Sequence, residues 1–224
     1  MEKLINIGVT LGDVFHADLL RVRIDISGQH QERDECTREY NRLLTQVREA
    51  LVGVGIPAED IKNSEYRVSA HKKTLYIKED DRYYRAASEL DGYEYSADVS
   101  LKRAADPEEA KAIWIALCSC DDGVQFRFSY DIKDEEFVKT TLLSDAIAES
   151  KRRAEILADA AGAKVTGIQS ISHQYDNNAY GVAAAYAPSA PSAAYGGSYN
   201  DAPEFNPKDI YVECVVEAQW AMEA

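Results

Sequence analysis

The sequence predicts an α+β fold, a mainly antiparallel sheet with three amphipathic helices packed on one side. Three observations carry that prediction. Apolar and polar residues alternate in several stretches, most cleanly Tyr93, Tyr95, Ala97, Val99 and Leu101 against Glu94, Ser96, Asp98, Ser100 and Lys102, which describes strands with one face buried. Three other stretches space their apolar residues by three and four, as a helix buried along one stripe does. The two kinds of segment are interleaved, and strands with a single apolar face each need helices laid over that face.

In chain order, Leu4 to Thr10 alternates Leu4, Asn6 and Gly8 against Ile5, Ile7 and Val9, a short strand suited to an edge. Leu20, Val22, Ile24 and Ile26 alternate with Arg21, Arg23, Asp25 and Ser27, and Gly28 closes that strand. From Asp34 to Val54, Cys36, Tyr40, Leu43, Leu44, Val47, Ala50 and Leu51 recur at helical spacing, until Gly53, Gly55 and Ile56-Pro57 end the helix. A strand over Ser64 to Leu75 follows. Tyr76 to Asp91, charged and tyrosine-bearing, reads as an exposed hairpin or loop, and Asp91-Gly92 opens the strand Tyr93 to Leu101.

Asp106-Pro107-Glu108-Glu109 is a helix start: an aspartate cap, a proline where a missing amide costs nothing, and a glutamate placed to reach back. Ala110, Ile113, Trp114 and Leu117 form its stripe, and Asp121-Asp122-Gly123 turns the chain into a strand carrying Val124, Phe126, Phe128, Tyr130 and Ile132. The longest helix runs from about 135 to 161, on the order of 40 Å. Val138, Leu142, Ala146, Ile147, Ser150, Ala154, Leu157, Ala158 and Ala161 mark its buried side, and Gly162 ends it before a strand from Lys164 to Ile171. The chain closes on a strand in which Ile210, Val212, Cys214, Val216, Ala218, Trp220 and Met222 alternate with Tyr211, Glu213, Val215, Glu217 and Gln219.

At 224 residues and 46% hydrophobic the chain can bury a real core, and we read it as a single domain over 1–224. Its formal net charge of −14 argues against a nucleic-acid partner, which needs a concentrated basic face. No run of eighteen apolar residues exists, so no membrane span is expected, and the polar opening Met1-Glu2-Lys3-Leu4 points to the cytoplasm. Cys36 falls on a helical stripe and Cys214 on the apolar side of a strand, as buried thiols do. Cys118-Ser119-Cys120 lacks the two-residue spacer of redox and zinc motifs. His16, His30, His71 and His173 form no pair at metal spacing and none sits in a nucleophile motif. Gly196-Gly197-Ser198 lacks the lysine and helix of a phosphate loop. No catalytic, cofactor-binding or metal-ligating residue is therefore expected.

Tyr175 to Pro207 is rich in Ala, Tyr, Gly, Ser and Pro and uncharged from Asn177 to Asn200. A stretch of this composition and length inside a domain is either disordered or functional. Tyr180, Tyr186, Tyr195 and Tyr199 are side chains of the kind enriched at interfaces, and they are the candidate partner or oligomer contacts.

The run Ala50-Leu51-Val52-Gly53-Val54-Gly55-Ile56-Pro57-Ala58-Glu59-Asp60-Ile61, the strand Tyr93 to Leu101, Val124-Gln125-Phe126, Ala146 through Ala154, Leu157, Ala158, Gly162 and Gly167-Ile168 together resemble the SIMPL-domain family. That family is named for a signalling molecule that associates with a pelle-like kinase, and it includes many bacterial envelope proteins. The similarity runs from about Ala17 to Ala221. The resemblance implies an α+β fold, no catalytic residues, a tendency towards oligomers and, in some members, an envelope or secreted location. The expected function is thus a non-enzymatic homo-oligomeric scaffold or protein-interaction protein. The alternative is a small-ligand binder or enzyme with a pocket under the 175–207 loop.

Overall fold

The computed structural model describes residues 3–79, 82–175 and 202–223. In chain order they form β1 (Lys3–Phe15), β2 (Leu19–His30), α1 (Arg33–Gly53), β3 (Lys62–Glu79), β4 (Arg82–Ala104), α2 (Pro107–Cys118), β5 (Val124–Asp131), α3 (Glu135–Ala160), β6 (Lys164–Tyr175) and β7 (Ile210–Glu223). The class is α+β, as expected. The strands divide between two antiparallel sheets, one of three strands in the order β1-β7-β6 and one of four in the order β3-β4-β2-β5. The described residues likewise fall into two compact units, 3–18, 130–175 and 207–223 in one, 19–79, 82–129 and 202–206 in the other.

In the first unit β7 is the central strand, and its alternation buries Ile210, Val212, Cys214, Val216, Ala218 and Trp220 on one face. β1 pairs with it without interruption, Ile7 opposite Ala218 and Val9 opposite Val216, so both strands offer apolar residues to the same side. Helix α3 covers that side. It buries every fourth residue, Val138, Leu142, Ala146, Ser150, Ala154 and Ala158, and the small side chains in that stripe let helix and sheet approach closely. Ser150 is fully buried, and its hydroxyl accepts a hydrogen bond from Trp220 Nε1 at 2.9 Å. Asp134 caps the helix by accepting from the Phe137 amide at 3.0 Å. At the other end Gly162 adopts φ 69°, and the Ala163 amide reaches back to the Ala158 carbonyl at 2.9 Å. Leu157 departs from the sequence reading. It is 51% exposed, because the buried stripe steps by four residues and Leu157 lies beside it on the flank.

In the second unit β2 and β4 put Val22, Ile24 and Ile26 opposite Leu101, Val99 and Ala97. The Ser27 amide donates to the Gly123 carbonyl and Ser129 Oγ to the Arg21 carbonyl, which fixes β5 antiparallel to β2 on its other side. Helices α1 and α2 touch each other and supply Cys36, Tyr40, Leu43, Val47, Leu51, Ile113, Trp114 and Leu117 to the core. Trp114 stands edge-on to Phe126 at 5.0 Å, and Phe205 packs on Phe128 at 5.2 Å. Two local expectations change. Asp91-Gly92 does not begin a strand: β4 passes through it, and Gly92 (φ 101°) lies beside a register shift against β3. Glu109 does not reach back to the cap; it accepts from Arg103 Nε at 2.6 Å, while Asp106 accepts from the Glu108 amide.

Candidate interaction surfaces

β1 is thirteen residues long and forms one edge of the three-stranded sheet. Natural edges are blunted by charge, proline, bulges or brevity. Between Lys3 and Asp13 this one has no charged residue and no proline, and its register with β7 is unbroken. Its outward residues Leu4, Asn6, Gly8, Thr10 and Gly12 are all exposed. A glycine in a strand leaves its cross-strand neighbours uncovered, and at Gly12 the Tyr211 ring fills the gap so closely that a Cβ there would meet its hydroxyl at 2.1 Å. Gly8 has no such neighbour, nothing lying within 4 Å of the position a Cβ would take. The opposite edge, β6, differs. Register shifts between Val165 and Gly167 and between Ile168 and Ser170 bend it, although Ile168 and Ile171 stay 46% and 44% exposed. Tyr175 ties its end to α3 through a hydrogen bond from its hydroxyl to the Lys139 carbonyl, 2.9 Å.

The other open feature is a ribbon. β2 accompanies β4 only from Tyr93 to Ala104, so among the described residues Arg82 to Leu90 pairs with β3 alone. A two-stranded ribbon is marginal by itself and presents two open flanks. The sequence reading anticipated an exposed hairpin or loop over Tyr76 to Asp91. It did not anticipate that the strands would continue through it.

A cleft of about 520 Å³ opens in the second unit, where His30 of β2, Glu39 and Arg42 of α1, Tyr95 of β4 and the Cys118 to Gly123 turn converge. Its arginine is committed to two of its carboxylates. Arg42 grips Glu39 with Nε and a terminal nitrogen at 2.9 and 2.7 Å and reaches Asp121 Oδ2 at 2.6 Å. These hydrogen bonds hold the Glu39 and Asp121 carboxyls below their ordinary range. Burial, with smaller contributions from Asp121 and Cys118, pushes the Cys120 thiol up to about 11, and burial raises Cys118 as well. Both are poor nucleophiles at neutral pH. On the polar face of the same sheet Asp25 stands directly opposite Asp98, with Arg23 2.7 Å from Asp98 Oδ2 and 3.4 Å from Asp25 Oδ1.

Among the described residues no group of three His, Cys, Asp or Glu side chains is placed to hold a metal ion, and no helix is long and apolar enough to cross a membrane. All four cysteines are free, Cys36 and Cys214 buried as expected. Tyr180, Tyr186, Tyr195 and Tyr199 lie outside the described residues. The clasp around Arg42 escaped the sequence reading. Glu39 and Arg42 stand three apart on a helix, a visible signal, but nothing local announces Asp121.

Among the described residues, a long edge strand, a two-stranded ribbon and a cleft whose arginine is held by two carboxylates belong to an α+β protein. The family model described as SIMPL, protein of unknown function (DUF541), matches residues 15–220, and the chain belongs to that family. No curated protein matches the chain.

Proposed function

We propose that the protein is a non-enzymatic scaffold that associates with itself and with other proteins through its open sheet edges. The observation that carries this reading is β1, a thirteen-residue edge strand with no charge, proline or bulge between Lys3 and Asp13. Such a strand offers a row of amides and carbonyls to any chain able to add to it. The absence of an enzymatic role is supported by the cleft, whose arginine is gripped by two carboxylates and whose thiols are held protonated. Four free thiols suit a reducing, cytoplasmic compartment. The tyrosines at 180, 186, 195 and 199 are kept as further contacts for a protein partner. Size-exclusion chromatography with light scattering is expected to give a mass that is a multiple of 24.9 kDa and rises with concentration. A single-chain mass at every concentration overturns the reading. A second reading, small-ligand binding in the His30 to Gly123 cleft, rests on that cavity's size. It would be favoured by a ligand-dependent rise in melting temperature that Arg42→Ala abolishes.

A further inference from the structure

We infer that β1 pairs with β1 of a second copy, antiparallel and about a two-fold axis at Gly8, so that two three-stranded sheets become one of six strands. The inference rests on the self-association reading above and specifies its surface. It follows from register. An isologous contact must be self-complementary, each residue meeting a residue it suits in the partner. With Gly8 opposite Gly8, the strand reads as a palindrome of chemistry. Lys3 falls opposite Asp13, Leu4 opposite Gly12, Ile5 opposite Leu11, Asn6 opposite Thr10 and Ile7 opposite Val9. Lys3 and Asp13, the two charged residues of β1, form two opposite-charge pairs, one at each end of the joint. Apart from Leu4, which faces outward, the apolar members lie on the face that α3 covers, where Ile7 and Val9 already belong to the core and Ile5 and Leu11 are half-buried against it. Sliding the copies by two residues keeps most apolar residues opposite apolar ones but parts Lys3 from Asp13, and sliding by one turns apolar residues against polar ones.

The axis runs normal to the sheet, so both helices stay on one face. Strands lie about 4.8 Å apart, and α3 sits over β1 and β7. Because α3 also contacts β6 and so lies nearer β7 than the sheet edge, the two helix axes come roughly 10 to 14 Å apart, close enough for long flanking side chains to meet. Phe137 and Leu157, 66% and 51% exposed, stand on the flank of α3 away from Tyr175, which is the flank that would face the second helix.

A cysteine at the axis tests the register directly. Residues facing each other across such a ladder have Cα atoms about 4.5 to 5.5 Å apart, within disulfide range. In full-length chain carrying Cys118→Ser and Cys120→Ser, Gly8→Cys is expected to give a covalent dimer on mild oxidation. Thr10→Cys, whose two copies would lie about 13 Å apart, is expected to give none. Charge exchange supplies a second measurement. Asp13→Lys reduces the net negative charge, yet it is expected to weaken self-association about three- to tenfold by setting lysine against lysine. Adding Lys3→Asp to it is expected to restore the original affinity. Cross-linking at position 10 as readily as at 8, or no recovery in the double variant, overturns this interface. If the unaltered chain still assembles, the scaffold reading survives; a monomeric unaltered chain removes both.

Discussion

Ser150 is the residue on which the α3 face of the first unit turns. A hydroxyl at zero exposure in an otherwise apolar stripe is tolerated because it satisfies the Trp220 indole, itself buried. Ser150→Ala leaves that N–H without an acceptor and is expected to cost about 1–2 kcal/mol, read as a lower denaturation midpoint by tryptophan fluorescence. A substitution that removed only a solvated hydroxyl would leave the midpoint unchanged. Asp25 and Asp98 make the second residue-scale case, and their effects oppose each other. Burial, then its hydrogen bond to Asp98, raises the Asp25 carboxyl, whereas the hydrogen bond from Asp25 and then the Arg23 guanidinium lower Asp98. The fold therefore favours protonated Asp25, a contribution present at acid pH and lost as pH rises from 3.8 through its raised value. Asp98 contributes above 3.8 and loses that contribution as pH falls through its lowered value. Asp25→Asn keeps a donor facing Asp98 without the charge. It is expected to leave stability at pH 7 within about 0.5 kcal/mol, since both groups are partly solvated, and to remove the decline in stability just above pH 3.8. Urea melts across pH 3 to 7 decide it.

At the scale of elements, two glycines with positive φ differ in what they protect. Gly162 ends α3 in open space, so Gly162→Ala meets only backbone strain, about 1 kcal/mol. Gly92 lies inside β4, where a Cβ would stand 2.5 Å from the His30 carbonyl oxygen, so Gly92→Ala must also move backbone and is expected to cost about 2–4 kcal/mol. Parallel thermal melts check the order; equal losses would mean that the contact at His30 yields freely. Gly92 also shows where the sequence stops being legible. The charged stretch before Asp91-Gly92 carries no clean alternation, so the strand reads as starting there, and only the pairing with β3 reveals a single continuous strand. The alternation of β2, β4 and β7 and the stripes of α1 and α3 were readable because burial there is set by local periodicity. Leu157 was misplaced because spacings of three and four were pooled, while the helix buries a pure run of fours. Cross-strand neighbours such as Asp25 and Asp98, the division into two sheets and the Asp121 contact to Arg42 depend on register and long-range pairing, which no local pattern encodes.

The whole molecule carries a charge of −14, and any assembly of it must bring like-charged bodies together. Two contributions to self-association thus respond to salt in opposite directions. The Lys3 and Asp13 pairs of a β1 joint are exposed and contribute at most about 1 kcal/mol each, an attraction that salt weakens. The repulsion between the bodies is spread over their surfaces and acts over about 30 Å at 0.01 M salt but only about 8 Å at 0.15 M. Apolar contact and backbone pairing, the remaining contributions, are nearly indifferent to salt in this range. The long-range repulsion outweighs two solvated pairs, so raising sodium chloride from 0.02 to 0.3 M, which shortens the screening length about fourfold, is expected to tighten self-association several-fold. Sedimentation equilibrium at the two concentrations measures it. Association that weakens with salt would mean that complementary charge, and not an uncharged strand edge, holds the copies together.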